Sequence, residues 1–363
     1  MIGYENEPLM ISLRVPNGNY EVTVSVTAHE DTVFSIRTQT RRFVLTDEPI
    51  KAGETKDIVF DVNVCDYHMA GEEFHKVETL DVLLLCDGAV TATAAATPID
   101  VPTIYIAGDS TVTDQPAEYP YVPSETYCGW GQVLPELLDP GITVSNHAQS
   151  GSSTAAFIGT NLNAFKDKIK KGNILICEFG HNDQKVKELD AYGGYAERLR
   201  YFVRLAREKG AYVILNSPIN RIIFEKDGTL KNLLGEYRNA VRDVAKEMDV
   251  PFVDMWQLTT DYFEKAGPVK SWCFFRCKGE ERDYTHTNDI GGSLIARMFA
   301  QEVVRQGIEP LASFIDEDRI SIEQVVADEG DAFDNSAMTE HIKNIGLVNV
   351  PEDLDADITG LRK

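Results

Sequence analysis

Ser110 is the residue from which a chemistry can be argued. It closes Gly108-Asp109-Ser110, directly after the apolar, β-branched run Ile104-Tyr105-Ile106-Ala107. A strand that stops in a tight turn puts the next hydroxyl at the C-terminal edge of a sheet, where α/β folds bind their ligands. An isolated triplet of this kind is more often a strand-end turn, with Asp109 or Ser110 as N-cap. Three later segments change that balance. Asp283 and His286 lie three residues apart, just ahead of a helix expected to begin near Ile290. One loop could aim the imidazole Nε2 at Ser110 while the carboxylate holds Nδ1–H and fixes the tautomer. The bland alternative makes Asp283 or Thr285 a turn cap and His286 a surface residue. Gly151 follows the strand-like Ile142-Thr143-Val144-Ser145-Asn146, and Asn182 follows Ile174-Leu175-Ile176-Cys177-Glu178-Phe179. In a parallel sheet both strand ends share an edge with Ser110. The backbone N–H groups of Ser110 and Gly151 and the Asn182 amide would then form an oxyanion hole of three donors. Otherwise Gly151 supplies a φ > 0 turn and Asn182 an Asx-turn. Nucleophile, oxyanion donors, carboxylate and base, in that order, are the parts of a serine esterase.

Two kinds of element must position these groups. Residues 1 to about 100 read as strands without helices: Tyr20–Thr27 and Asp57–Val64 alternate with period two, and Val33–Arg37, Arg42–Leu45, Leu80–Leu85 and Ala89–Ala94 are shorter runs. Turn-formers such as Pro16-Asn17-Gly18-Asn19 and Asp87-Gly88 separate them. The expectation is an all-β sandwich of jelly-roll type over residues 1–101. From Thr103 the pattern becomes strand, loop, helix. Core strands are expected at 103–107, 142–146, 173–179, 211–216 and 251–254, with helices clearest at Tyr195–Lys209, Asn232–Met248 and Ile290–Gln306. That alternation predicts a flavodoxin-like, three-layer α/β/α domain over 102–312. Residues 313–363 form an acidic extension, with short helices expected at Ile320–Val326 and Met338–Ile345.

Composition excludes several classes. The net charge of −23 argues against nucleic-acid binding, and with 43% hydrophobic and 26% charged residues the chain reads as soluble and globular. No apolar run is long enough to span a bilayer, so no membrane partner is expected. The N-terminus lacks a basic, then apolar leader, and the expected location is cytoplasmic, with a secreted mature form whose leader has been removed as the alternative. The six cysteines are scattered and are expected to be free thiols. Neither Cys273 with Cys277 nor Cys65 with His68 has a second ligand pair nearby, so no metal is expected at either.

The four segments together resemble blocks I, II, III and V of the SGNH, or GDSL, hydrolase superfamily: Gly108-Asp109-Ser110, Gly151, Gly180-His181-Asn182-Asp183, and Asp283 through His286. Gly129-Trp130-Gly131, Asn146-His147-Ala148-Gln149-Ser150-Gly151 and Glu178-Phe179-Gly180-His181-Asn182-Asp183 resemble its rhamnogalacturonan acetylesterase branch, as do Ser217-Pro218, Phe224, Gly228 and Tyr237. The resemblance implies Ser110 as nucleophile, His286 as base, Asp283 as its orienter, and Ser110, Gly151 and Asn182 as oxyanion donors, with no cofactor. It departs from the branch at Ser152-Ser153-Thr154 and Asn220-Arg221-Ile222-Ile223, where cationic residues are common. Arg221 and Arg276 remain as candidate ligands for a substrate carboxylate. The implied function is removal of O-acetyl groups from plant cell-wall oligosaccharides, most readily pectic ones. Alternatives are another carbohydrate acetylesterase, such as one acting on xylan, a short-chain lipase or thioesterase, and a non-catalytic carbohydrate-binding protein. The oligomeric state is not legible.

Overall fold

The computed structural model describes residues 1–68, 74–225, 227–279 and 281–325. Alternation governs the first hundred residues. Strand β2 (Gly18–Ala28) turns Tyr20, Val22, Val24, Val26 and Ala28 inward. It is the middle of a three-stranded antiparallel sheet, between β5 (Thr55–Val64) and β9 (Val90–Ile99). A second antiparallel sheet has the order β1 (Leu9–Arg14), β8 (Thr79–Cys86), β3 (Thr32–Thr38), β4 (Arg42–Ile50). The two sheets share one core, in which Val22, Val24, Phe34, Ile36, Leu80 and Val82 are buried. A short hairpin pairs β6 (Tyr67–His68) with β7 (Phe74–His75).

The second half is built on a parallel sheet of β10 (Thr103–Gly108), β11 (Thr143–Asn146), β12 (Ile174–Glu178), β13 (Tyr212–Asn216) and β14 (Phe252–Val253). Its order is β11-β10-β12-β13-β14, with every pair parallel. That is the doubly wound 2-1-3-4-5 arrangement, whose ligand crevice lies at the C-terminal ends of the first and third strands. The helices are α1 (Thr154–Gly159), α2 (Ala196–Glu208), α3 (Gly235–Glu247), α4 (Met255–Ser271) and α5 (Asp289–Gln306). Because strand side chains alternate, Ile104 and Ile106 face a core with Trp130 and Phe299 of α5. Tyr105 and Ala107 face the opposite core, with Phe202 of α2 and Val241 of α3. An antiparallel pair, β15 (Phe275–Lys278) and β16 (Glu281–Thr287), precedes α5.

The five parallel strands expected from the sequence lie within two residues of those observed, whereas β4 and β9 each run five residues beyond the expected Leu45 and Ala94, and β1 was not foreseen. Helix α4 was not among the helices named from the sequence; it breaks near its end, where Gly267, ahead of Pro268, has a φ of 76°. The short helix expected at Ile320–Val326 is a 3₁₀ turn over Ile322–Gln324. The expected helix at Met338–Ile345 and the rest of the acidic extension from 326 onward lie outside the described residues. Among the described residues, no helix is long and apolar enough to cross a membrane.

The N-terminal sheets are locked onto the parallel sheet by buried cations. Arg41, in the turn between β3 and β4, makes a bidentate pair with Asp289 at the start of α5, at 2.5 and 2.9 Å. Arg42 pairs with Asp114 at 2.7 Å and donates to Val144 O of β11 at 2.9 Å. Phe43 of β4 is buried in the core of the parallel sheet itself.

Candidate active site

The site is built where β10, β11 and β12 end. All six residues of β10 are buried, and its last, Gly108, has no room for a side chain: a Cβ would lie 3.0 Å from Glu178 O and 3.1 Å from Val112 Cγ2. The chain then turns on Asp109, whose Oδ1 accepts from Thr111 N at 3.0 Å and Thr111 Oγ1 at 2.8 Å. This Asx-turn leaves the Ser110 hydroxyl at the sheet edge.

Ser110 Oγ lies 2.7 Å from His286 Nε2. His286 Nδ1 lies 2.8 Å from Asp283 Oδ2. The other carboxylate oxygen, Oδ1, accepts from the backbone N–H groups of Thr285 and His286, each at 2.8 Å. Burial alone would raise the Asp283 pKa, but the His286 contact and these two N–H donors outweigh it and hold the group down at about 2. The carboxylate is therefore ionised, and it anchors the imidazole in one tautomer. The pair lies on strand β16 rather than in a free loop, between Arg282 and Thr287, which pair with β15.

Gly151 follows β11 with a φ of 77° and open space where a Cβ would sit. Its loop is tied to the serine strand by Gln149 N donating to Gly108 O at 3.0 Å. Asn182 follows β12 and is buried, 8% exposed. Its Nδ2 donates to Ser152 O at 3.2 Å, next to Gly151, and its Oδ1 accepts from Lys185 Nζ at 2.9 Å. The structure thus links the serine, glycine and asparagine loops at one sheet edge. The N-terminal hairpin reaches the same edge: His68 Nδ1 is 3.3 Å from Gln149 Oε1.

Arg221 does not occupy the place expected of a carboxylate ligand. It is 2% exposed, and its Nε donates to Thr285 Oγ1 at 3.1 Å. With the Gln184 amide oxygen turned toward it, the two terminal nitrogens donate there at 3.0 and 3.1 Å. Burial pushes its pKa down to about 10, against the pull of Asp109 and Asp283. A guanidinium so enclosed braces the segment between Asp283 and His286 and has no face for a ligand. Arg276 is nearer the rim. It donates to Glu125 O at 3.2 Å, pairs with Glu281 at 2.6 Å and stacks 4.9 Å from the Tyr127 ring centre. Tyr127 meets His286 edge-on at 5.8 Å and its hydroxyl reaches Asp283 Oδ2 at 3.4 Å. Sequence reasoning passed over Tyr127 and Lys185, since neither stands at a spacing that marks a site. Lys185, three residues past Asn182, could have been found as a cation one turn from an expected oxyanion donor.

Beneath the site lie buried acids. Glu178 accepts from Trp130 Nε1 at 3.0 Å and Thr111 Oγ1 at 3.2 Å. Burial, with Asp109 nearby, raises its pKa to about 8. Burial likewise raises Asp183 to about 7 while Thr154 donates to it. His181 is buried and held well below its ordinary value by burial and by Arg221, so it is neutral. That suits a residue that orders its loop rather than one that carries protons.

Residues 106–291 match the GDSL-like Lipase/Acylhydrolase family. The chain belongs to that family. Within it, a rhamnogalacturonan acetylesterase of Bacillus subtilis (strain 168) is 34% identical over 216 residues, covering 56% of this chain and 90% of that protein. A rhamnogalacturonan acetylesterase of Emericella nidulans is 27% identical over 230 residues, covering 57% of this chain and 86% of that protein. The crystal structure of the protein YxiM from Bacillus subtilis is similar over 82% of this chain and 80% of its own, with a TM-score of 0.53 and 27% identity. As a member of the GDSL-like family, with acetylesterases among its relatives, the chain is a carboxylic ester hydrolase.

Proposed function

We propose that the chain is a serine esterase that removes O-acetyl groups from pectic, rhamnogalacturonan-type oligosaccharides. The observation that carries the mechanism is the continuous chain Ser110 Oγ to His286 Nε2 at 2.7 Å and His286 Nδ1 to Asp283 Oδ2 at 2.8 Å. His286 takes the Ser110 proton as Oγ attacks the acetyl carbonyl. The Ser110 and Gly151 N–H groups and Asn182 Nδ2 receive the oxyanion. Collapse expels the sugar alkoxide, which takes the proton from His286 and leaves acetyl-Ser110. Water, activated by His286, releases acetate and restores the serine. Every proton moves through one imidazole, so no cofactor enters.

The substrate reading is supported by the relatives, which are named as rhamnogalacturonan acetylesterases. The residues after Gly151 are polar, Ser152-Ser153-Thr154, and favour a short acyl group in a polar setting over a lipid chain. Arg276 stays in this reading as a rim ligand for a uronate carboxylate, in competition with Glu281. We read residues 1–101 as a β-sandwich domain, 102–312 as the catalytic domain and the rest as an acidic extension. The seam of Arg41, Arg42 and Phe43 makes the sandwich a structural partner that shapes one wall of the cleft.

The test is acetate release from acetylated rhamnogalacturonan and acetylated xylan oligosaccharides, with Ser110→Ala alongside. Release from the pectic substrate, lost in the variant, is the expected result. Release from xylan alone would move the substrate to another acetylated wall sugar. No release from either, with p-nitrophenyl acetate also untouched, would overturn the catalytic reading in favour of carbohydrate binding.

A further inference from the structure

The Asn182 amide is held at both ends, and the holder on the oxygen side is a cation. Lys185 closes the single 3₁₀ turn Asp183–Lys185 that follows Asn182, and its side chain lies at the surface. Its Nζ donates to Asn182 Oδ1 at 2.9 Å, while Asn182 Nδ2 donates to Ser152 O at 3.2 Å. A side-chain amide has one accepting end and one donating end. Rotated by half a turn, it would set its NH₂ against the ammonium and its oxygen against the Ser152 carbonyl, losing both bonds. The observed orientation is thus the one that both neighbours favour, and it leaves the second Nδ2 hydrogen uncommitted. A positive charge on the amide oxygen also draws electron density from the nitrogen and makes that hydrogen a stronger donor. The charges around Lys185 are mixed: Arg221 opposes it and Asp109 favours it, with burial pushing its pKa down.

We propose that Lys185 is a positioning residue of the oxyanion hole: its ammonium sets and polarises the Asn182 amide so that the free Nδ2 hydrogen meets the developing oxyanion. This rests on the reading of Asn182 as an oxyanion donor. The residue is a surface cation with no part in either core, so shortening it removes an electrostatic contact and little packing.

The test measures kcat and KM on p-nitrophenyl acetate and on acetylated rhamnogalacturonan oligosaccharides. The proteins are wild type, Lys185→Met, Lys185→Arg, Asn182→Ala and the Lys185→Met/Asn182→Ala double variant. Loss of a full oxyanion donor lowers kcat about 100- to 1000-fold, and loss of its holder is expected to lower it about tenfold. KM should stay within about twofold, since the interaction exists only in the transition state. Lys185→Arg should recover most of the loss, because it restores a charged donor. In the Asn182→Ala background, Lys185→Met should have no further effect, because its action runs through that amide. Wild-type kcat in Lys185→Met, a change in KM alone, or the same tenfold loss in both backgrounds would each overturn the proposal. Wild-type kcat in Asn182→Ala would instead remove the oxyanion assignment on which it stands. A Lys185→Met defect accompanied by a lowered Tm and not recovered by Arg would mark a structural role and also overturn it.

Discussion

At the scale of single residues, protonation in this protein is decided by burial and by who donates to whom. Asp283 and Glu178 are both enclosed carboxylates, yet one is driven down to about 2 and the other up to about 8. Glu178 is fully buried with another acid close by, whereas Asp283 keeps some exposure and is held ionised by an imidazole and two backbone N–H groups. The raised value has a consequence for stability. An acid whose folded pKa exceeds its unfolded one binds a proton in the native state that the unfolded chain has lost, so stability falls as pH rises between the two values. For Glu178 that window runs from the ordinary carboxylate range up to about 8. Glu178→Gln keeps an acceptor for Trp130 and cannot ionise. It is expected to flatten the decline in Tm between about pH 5 and pH 8, measured by scanning calorimetry of both proteins. An unchanged slope would mean that Glu178 is already ionised in the native state.

At the scale of elements, His286 is positioned from a distance. His286 and Asp289 are three residues apart, and Asp289 is gripped by Arg41 and by the Tyr121 hydroxyl. A turn in the N-terminal sheets thereby fixes where α5 begins, and so where β16 ends. Removing one partner of a buried ion pair leaves the other charge uncompensated and costs about 3–5 kcal/mol. Arg41→Ala is expected to lower the urea midpoint of unfolding and to reduce kcat, whereas Arg14→Ala, on strand β1, should change neither. An Arg41→Ala protein with wild-type kcat would uncouple the N-terminal sheets from the base. This coupling was invisible in the sequence, because nothing in the turn after β3 marks Arg41 as the partner of a residue in another element. The parallel strands, by contrast, were legible to within two residues, since buried parallel strands are continuous apolar runs bounded by turn-formers. The four segments named for chemistry were legible because each ends such a strand or precedes a helix. Arg221 was misplaced for a related reason: a cation in a loop-like stretch reads as exposed, and only the packing of Thr285 and Gln184 around it shows where it points. Tyr127 and Lys185 act through a ring contact and an amide contact, which have no signature spacing.

At the scale of the whole molecule, a net charge of −23 surrounds a site proposed to take an acidic oligosaccharide. Like charges slow encounter, and salt screens them over a Debye length of about 8–10 Å. kcat/KM on de-esterified, acetylated rhamnogalacturonan oligosaccharides is therefore expected to rise as salt is added from about 10 to 150 mM. The neutral p-nitrophenyl acetate should show no such rise. Steady-state rates across a salt series decide it, and a fall for the acidic substrate would mean that local cations such as Arg276 and Lys185 govern its approach.

The ion pair between Arg41 and Asp289 joins positions 248 residues apart. A ribosome adds about 5–20 residues per second, so the arginine waits roughly 12–50 s for its aspartate. Ser110 is made 176 residues before His286, about 9–35 s earlier at that rate, and through that shorter interval the nascent chain holds the serine without the histidine. With the roles proposed for those two residues, hydrolytic competence comes only after residue 286 is made, and a product truncated before it is expected to be inert toward esters.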